Sequence, residues 1–227
     1  GQGNVNPLSI AGQPVIDHVI AYGRSQPGRF LREFIHEGFN EDLEGRRVLD
    51  GVFVSLTGSR RIPLNEPFTQ PGRFVRQHED HQYPGDQFPF TYTTRTDSIT
   101  GETDGILARS KASETCPKIV HVDSSTEFWQ GRSSLVVTDE HGQAIAVPDE
   151  VRTYLFSGSG HAGTAMFTHA EAFFRPAKYD LNRMDYGAFN RAVLAVLDAW
   201  ASDGLTPPSS RYPSVNDGTL APPRQQT

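Results

Sequence analysis

Residues 15–38 read VIDHVIAYGRSQPGRFLREFIHEG, and this stretch decides the fold. Residues 15–22 form a short, mostly apolar run with β-branched side chains, the pattern of a buried strand. Gly23-Arg24-Ser25-Gln26-Pro27-Gly28 is a sharp turn. Residues 29–37 then place Phe30, Leu31, Phe34 and Ile35 on one helical face, and Gly38 stands where a helix would stop. A strand, a tight turn and a helix within about 25 residues make an α/β unit.

Working outward, residues 47–57 hold a second strand, VLDGVFVSL. KIVHVD at 118–123 and VRTYLF at 151–156 read as a third and a fourth. Residues 186–200 carry the clearest helical spacing, through Phe189, Val193, Val196, Leu197 and Trp200, with Gly204 just beyond. Between the second and third strands, residues 58–115 are rich in Pro, Gly and aromatics. Long irregular stretches inside a domain usually serve function, so this one is read as a lid or cap inserted after the second strand. Residues 1–204 then make one partial α/β domain, and the Pro- and Ser-rich residues 205–227 an extended or disordered tail.

Composition narrows the function. The chain has 227 residues, 36% apolar and 21% charged, with no apolar run near membrane-spanning length, which reads as soluble and globular without naming a compartment. A net charge of −6 gives no basic field for nucleic acid. Cys116 is the only cysteine, so no internal disulfide and no cysteine-rich zinc site can form. It reads as a small buried hydrophobe.

Three strands each lead into a polar side chain of a different kind, Ser25, Glu127 and His161. Parallel sheets gather functional groups at the carboxyl ends of their strands, so these three can meet at one rim. A serine hydroxyl needs a neighbouring base to become a nucleophile, histidine is the natural base, and a carboxylate fixes its tautomer. The chain order Ser, acid, His is that of α/β-hydrolases. Asp123 is the rival acid. In the elbow pattern G-x-S-x-G, Gly23 matches and Pro27 replaces the second glycine. The residue after the nucleophile, Gln26, keeps the N–H that an oxyanion requires.

Other polar groups have competing readings. His78-Glu79-Asp80-His81 could ligate a metal, but lacks helical H-E-x-x-H spacing and reads as a polar network anchoring the lid, so no metal and no cofactor is expected. Arg24 could touch an anionic substrate or form a surface salt bridge. Glu41, Asp42, Glu44, Arg46 and Arg47 read as a solvated turn. Phe88, Phe90, Tyr92, Phe128 and Trp129 either line an acyl pocket or fill core.

The strings AYGRSQPGRFLREFIHEGFNED, QHEDHQYPGDQFPFTY, PKIVHVDSSTEFWQGRSSLVVTD and GSGHAG resemble the C-terminal part of a large α/β-hydrolase domain family. The resemblance runs from about Val15 to PPSSRYP. It implies the α/β-hydrolase fold, Ser25 as nucleophile, His161 as base and Glu127 as acid. In the full fold the nucleophile follows the fifth strand, whereas only about a dozen loop-like residues precede the nucleophile strand here. The expectation is therefore that the missing N-terminal half of the same protein, or another chain, completes the sheet and the second oxyanion donor. The functional expectation is hydrolysis of a small carboxylic ester, less readily an amide, through an acyl-enzyme. The alternatives are a truncated, non-catalytic binding module and a metal hydrolase built on His78 and His81.

Overall fold

The computed structural model describes residues 16–62, 64, 87–161 and 184–221, with the backbone alone of 9–10 and 13–14. The strands are β1 (Ser9–Ile10), β2 (Gln13–Pro14), β3 (Ile20–Arg24), β4 (Gly51–Ser55), β5 (Arg95–Thr96), β6 (Thr103–Asp104), β7 (Lys118–Ser124) and β8 (Val151–Phe156). The α-helices are α1 (Gln26–His36), α2 (Ala108–Ala112), α3 (Ser125–Gln130) and α4 (Tyr186–Asp203). No described helix is long and apolar enough to cross a membrane.

The four strands expected from the sequence form one parallel sheet in the order β3-β4-β7-β8. Alternation along each strand sends successive side chains to opposite faces. Val52, Val54, Ile119 and Val151 pack with Leu31 and Ile35 of α1. Phe53, Val120 and Val122 pack with Val193, Leu197 and Trp200 of α4. Helices thus cover both faces, as a buried parallel sheet requires.

Two strands are shorter than their apolar runs, for a reason of pairing. Residues 16–19 are exposed coil, and β3 begins at Ile20, where its ladder partner Gly51 becomes available. Residues 48–49 leave the sheet because Asn40 takes their backbone groups. Its Nδ2 donates to Leu49 O at 3.1 Å and its Oδ1 accepts Leu49 N–H at 2.9 Å. Helix α1 begins at Gln26, earlier than residue 29, because Pro27 in the first turn needs no N–H partner. Of its expected apolar face, Leu31 and Ile35 are buried and Phe34 packs against the core, whereas Phe30 is 42% exposed; Arg29, Arg32, Glu33 and His36 are buried as well.

Those buried polar groups hold the described part of the 58–115 stretch, which carries the β5–β6 hairpin and α2. Arg61 Nη1 donates to Glu33 Oε2 at 2.6 Å and to His36 Nδ1 at 2.8 Å. The other ring nitrogen of His36 faces Asp104 Oδ2 at 2.8 Å, and Arg109 Nη1 donates to His36 O at 2.7 Å. Burial and the adjacent Arg61 lower the His36 pKa, against the opposing effect of Asp104. The segment His78-Glu79-Asp80-His81 lies outside the described residues.

The described part of the tail runs along the free edge of β8. Arg211 forms a parallel bridge with Tyr154, donating its N–H to Thr153 O at 2.9 Å and accepting from Leu155 N–H at 2.8 Å. Tyr212 then reaches under the sheet end, its hydroxyl donating to Asp123 Oδ2 at 2.8 Å. Removing that donor leaves a buried carboxylate short of one partner. Tyr212→Phe is therefore expected to lower unfolding stability by about 1–3 kcal/mol, read as a lower urea midpoint at unchanged slope.

Candidate active site

Ser25 sits between β3 and α1 with φ 59° and ψ −120°, a conformation costly for a residue with a side chain. Its N–H donates to Ser55 O at 2.7 Å, and its carbonyl accepts Arg29 N–H at 3.0 Å. The turn leaves no room beside it. A Cβ on Gly23 would lie 2.5 Å from the carbonyl of Pro27, and one on Gly28 would lie 2.5 Å from Thr57 Cγ2. Gly28, one place beyond the expected second glycine, thus supplies the close approach while Pro27 starts the helix. Serine is a favoured helix N-cap, yet the Ser25 side chain makes no capping bond. Gln26 opens α1, so its N–H has no partner within the helix.

Glu127 and His161 are brought together: Glu127 Oε1 is hydrogen-bonded to His161 Nδ1. The carboxylate is buried, while the imidazole is 40% exposed. A capping box built on the pattern Ser124-x-x-Glu127 fixes the acid. Ser124 Oγ donates to Glu127 Oε2, and Ser124 N–H donates to the same oxygen at 3.2 Å. The S-x-x-E spacing at the head of α3 was a legible signal for this, and it gives Ser124 a positioning part that reading for catalytic types alone passes over.

The loop carrying His161 is held from three elements. Arg24 Nη2 donates to His161 O at 2.7 Å, Tyr186 Oη donates to Gly160 O at 2.6 Å, and His161 N–H donates to Thr126 Oγ1 at 3.2 Å. The Arg24 guanidinium also lies 5.4 Å from the centre of the Tyr186 ring. Arg24 is therefore engaged within the fold, in neither of the parts considered for it from sequence. It ties the residue before Ser25 to the histidine, but among the described residues Ser25 Oγ itself has no hydrogen-bond partner.

Asp123, the rival acid, has other work. It is fully buried, and its Oδ1 accepts the N–H groups of Thr57 and Gly58, each at 3.0 Å. Its Oδ2 is bonded to His121 Nε2 at 2.9 Å, Ser133 Oγ at 2.8 Å and Tyr212 Oη. His121 Nδ1 in turn faces the Tyr92 hydroxyl at 2.8 Å. Burial alone would raise the Asp123 pKa, but the charge and hydrogen bond of His121 and the Gly58 and Tyr212 donors outweigh it and hold the carboxyl below its usual range.

The aromatics divide among several places. Tyr92 is core, Phe128 packs against Tyr212, and Trp129 is 67% exposed. Phe88 and Phe90 line a small cavity with Arg95, Asp97 and Glu140. Asp42 and Arg46 form the expected exposed pair at 2.8 Å. Among the described residues, Glu33, His36 and Glu37 converge as metal ligands would, but the Arg61 guanidinium already sits on Glu33 and His36.

A family model described as alpha/beta hydrolase domain matches residues 1–226. No curated protein and no solved structure matches the chain.

The crowding of the turn and the depressed pKa of Asp123 each have a measurable consequence. Gly23→Ala would force the Pro27 carbonyl aside, and a loss of about 1–3 kcal/mol is expected in thermal or urea unfolding. Asp123, with its folded pKa depressed, contributes stability that is full above the unfolded value of about 4. That contribution is lost as pH falls through the folded value. Acid titration of unfolding should show a steeper fall below about pH 4 in the natural protein than in Asp123→Asn.

Proposed function

Because the chain belongs to the alpha/beta hydrolase domain family, we propose that it is a serine hydrolase in which Ser25 attacks, His161 moves the proton and Glu127 orients His161. The observation that carries this reading is the bond between Glu127 and His161 Nδ1, which leaves Nε2 as the ring nitrogen available to the nucleophile. The strained Ser25 backbone, with a side chain that declines to cap its helix, is the second support.

The chemistry runs as acyl transfer. Nε2 takes the hydroxyl proton as Ser25 Oγ bonds to an ester carbonyl carbon, and the N–H of Gln26 helps hold the oxyanion. Collapse expels the alcohol with the proton from His161. Water, activated by the same imidazole, then releases the acid and restores Ser25. Carboxylic esters suit this better than amides, whose amine leaves less readily. Neither a metal nor a cofactor enters any of these steps.

The observation in favour of the alternative, a non-catalytic binding module, is that the Ser25 hydroxyl has no hydrogen-bond partner among the described residues. A fluorophosphonate probe separates the two readings. Labelling of the natural protein that vanishes in Ser25→Ala is expected, with kcat on a short-chain ester lowered by about 10²–10⁴-fold in His161→Ala. Absence of labelling in well-folded protein would leave the binding module.

A further inference from the structure

One buried turn touches both halves of the candidate site. Residues 55–60 leave β4 at its carboxyl end, and Leu56, Thr57 and Ser59 are buried. On one side the turn meets the nucleophile elbow. Ser55 O accepts the Ser25 N–H at 2.7 Å, and Thr57 Cγ2 fills the space that a Cβ on Gly28 would need. On the other side it meets the last turn of α3. Ser59 N–H donates to Gly131 O at 3.0 Å, Arg60 Nη2 donates to Gln130 O at 3.0 Å, and Gly131 N–H donates to Glu127 O at 2.7 Å. A Cβ on Gly58 would overlap the Gly131 carbonyl.

The turn is strained and has to be held. Leu56 takes φ 56° and Gly58 φ 62°. A left-handed backbone at a bulky residue persists only where neighbours over-determine it. Two groups of β7 do so here. Val122 O accepts the Leu56 N–H at 2.7 Å, and Asp123 Oδ1 accepts both the Thr57 and the Gly58 N–H at 3.0 Å. The other carboxylate oxygen is fixed by His121, Ser133 and Tyr212, so the side chain is pinned from both ends.

We propose that Asp123 is a positioning residue for Glu127: by holding the 56–60 turn it fixes α3 against the elbow, and so sets where Glu127 holds the imidazole relative to Ser25. The capping box fixes α3 only at its first turn. The 56–60 turn supplies the second anchor, at its last. The proposal rests on the reading of Glu127 as the residue that orients His161 in a serine hydrolase. Asparagine at position 123 would preserve this function. Its amide oxygen can accept the two backbone N–H groups, while His121, Ser133 and Tyr212 are each able to accept from its NH₂. Alanine would leave both N–H groups buried and unpaired, and so release the turn.

The experiment measures kcat and KM on a short-chain ester for Asp123→Ala, Asp123→Asn and Gly58→Ala, each at a temperature where urea unfolding shows it folded. Asp123→Ala is expected to lower kcat by about 10²-fold with KM little changed, and Asp123→Asn to recover most of that loss. In a Glu127→Gln background Asp123→Ala should add little further loss, because residues that act through one another are not additive. A role in stability alone would cost the same factor in both backgrounds. The second readout needs no activity: the downfield proton resonance of His161 Nδ1–H, assigned by its absence in His161→Ala. It should be lost or shifted in Asp123→Ala and kept in Asp123→Asn. If the natural protein cleaves no ester, the hydrolase reading falls, and this resonance alone decides the positioning. An unchanged resonance in Asp123→Ala, equal losses in both backgrounds, or an Asp123→Asn as impaired as Asp123→Ala overturns the proposal. Should Asp123→Ala fail to fold, Gly58→Ala, whose Cβ presses on Gly131, is expected to give the same loss in kcat and the same change in the resonance. Neither changing in that variant overturns the proposal as well.

Discussion

The reversal of the chain at Ser25 is the constraint on which the rest of the site depends. A strand entering the sheet must turn straight into a helix packed on that sheet, and the two approach so closely that only hydrogen fits at Gly23 and Gly28. Ser25 takes the strained φ as a result. The bond from its N–H to Ser55 O ties the turn to the end of β4. Strain of this kind persists where neighbours over-determine it, and here β3, β4 and α1 all do. The hydroxyl is thereby presented at the carboxyl rim of the sheet instead of being folded back onto the helix.

Two carboxylates leave the end of β7 within four residues of each other, and their environments separate their duties. Asp123 points to the α1 face, where backbone N–H groups, His121, Ser133 and Tyr212 saturate it. So many donors make it a fixed charge that anchors the Thr57–Gly58 turn. Glu127 begins a helix and leaves one oxygen for the half-exposed His161. The capping box gives Glu127 a rigid mount and leaves Oε1 free to bond the imidazole.

The buried arginines express a related economy. Arg32 and Arg61 stitch α1 to the stretch after β4 through carbonyls and a carboxylate, and Arg24 clamps the histidine loop. Each donates to groups distant in sequence. Among the described residues, Arg29 alone of the arginines keeps two buried donors open, on the same helix and close to the elbow in sequence. Buried arginines of one fold thus differ in how fully their donors are satisfied.

The sequence by itself determined the parallel α/β class, the strands at β7 and β8, the helix at α4 and the polar residues at the strand ends, because these follow from local periodicity and turn chemistry. It could show three residues able to meet, but not which acid would serve the histidine. Asp123 and Glu127 are equivalent as residue types, and only the register of β7 against β8, the α3 cap and the arrival of Tyr212 from the tail separate them. The strand starts were likewise set by partners: β3 waits for Gly51, and Asn40 withdraws residues 48–49 from the ladder. The tertiary structure decided these points because hydrogen-bond saturation is a property of groups brought together from far along the chain, and no local pattern encodes it.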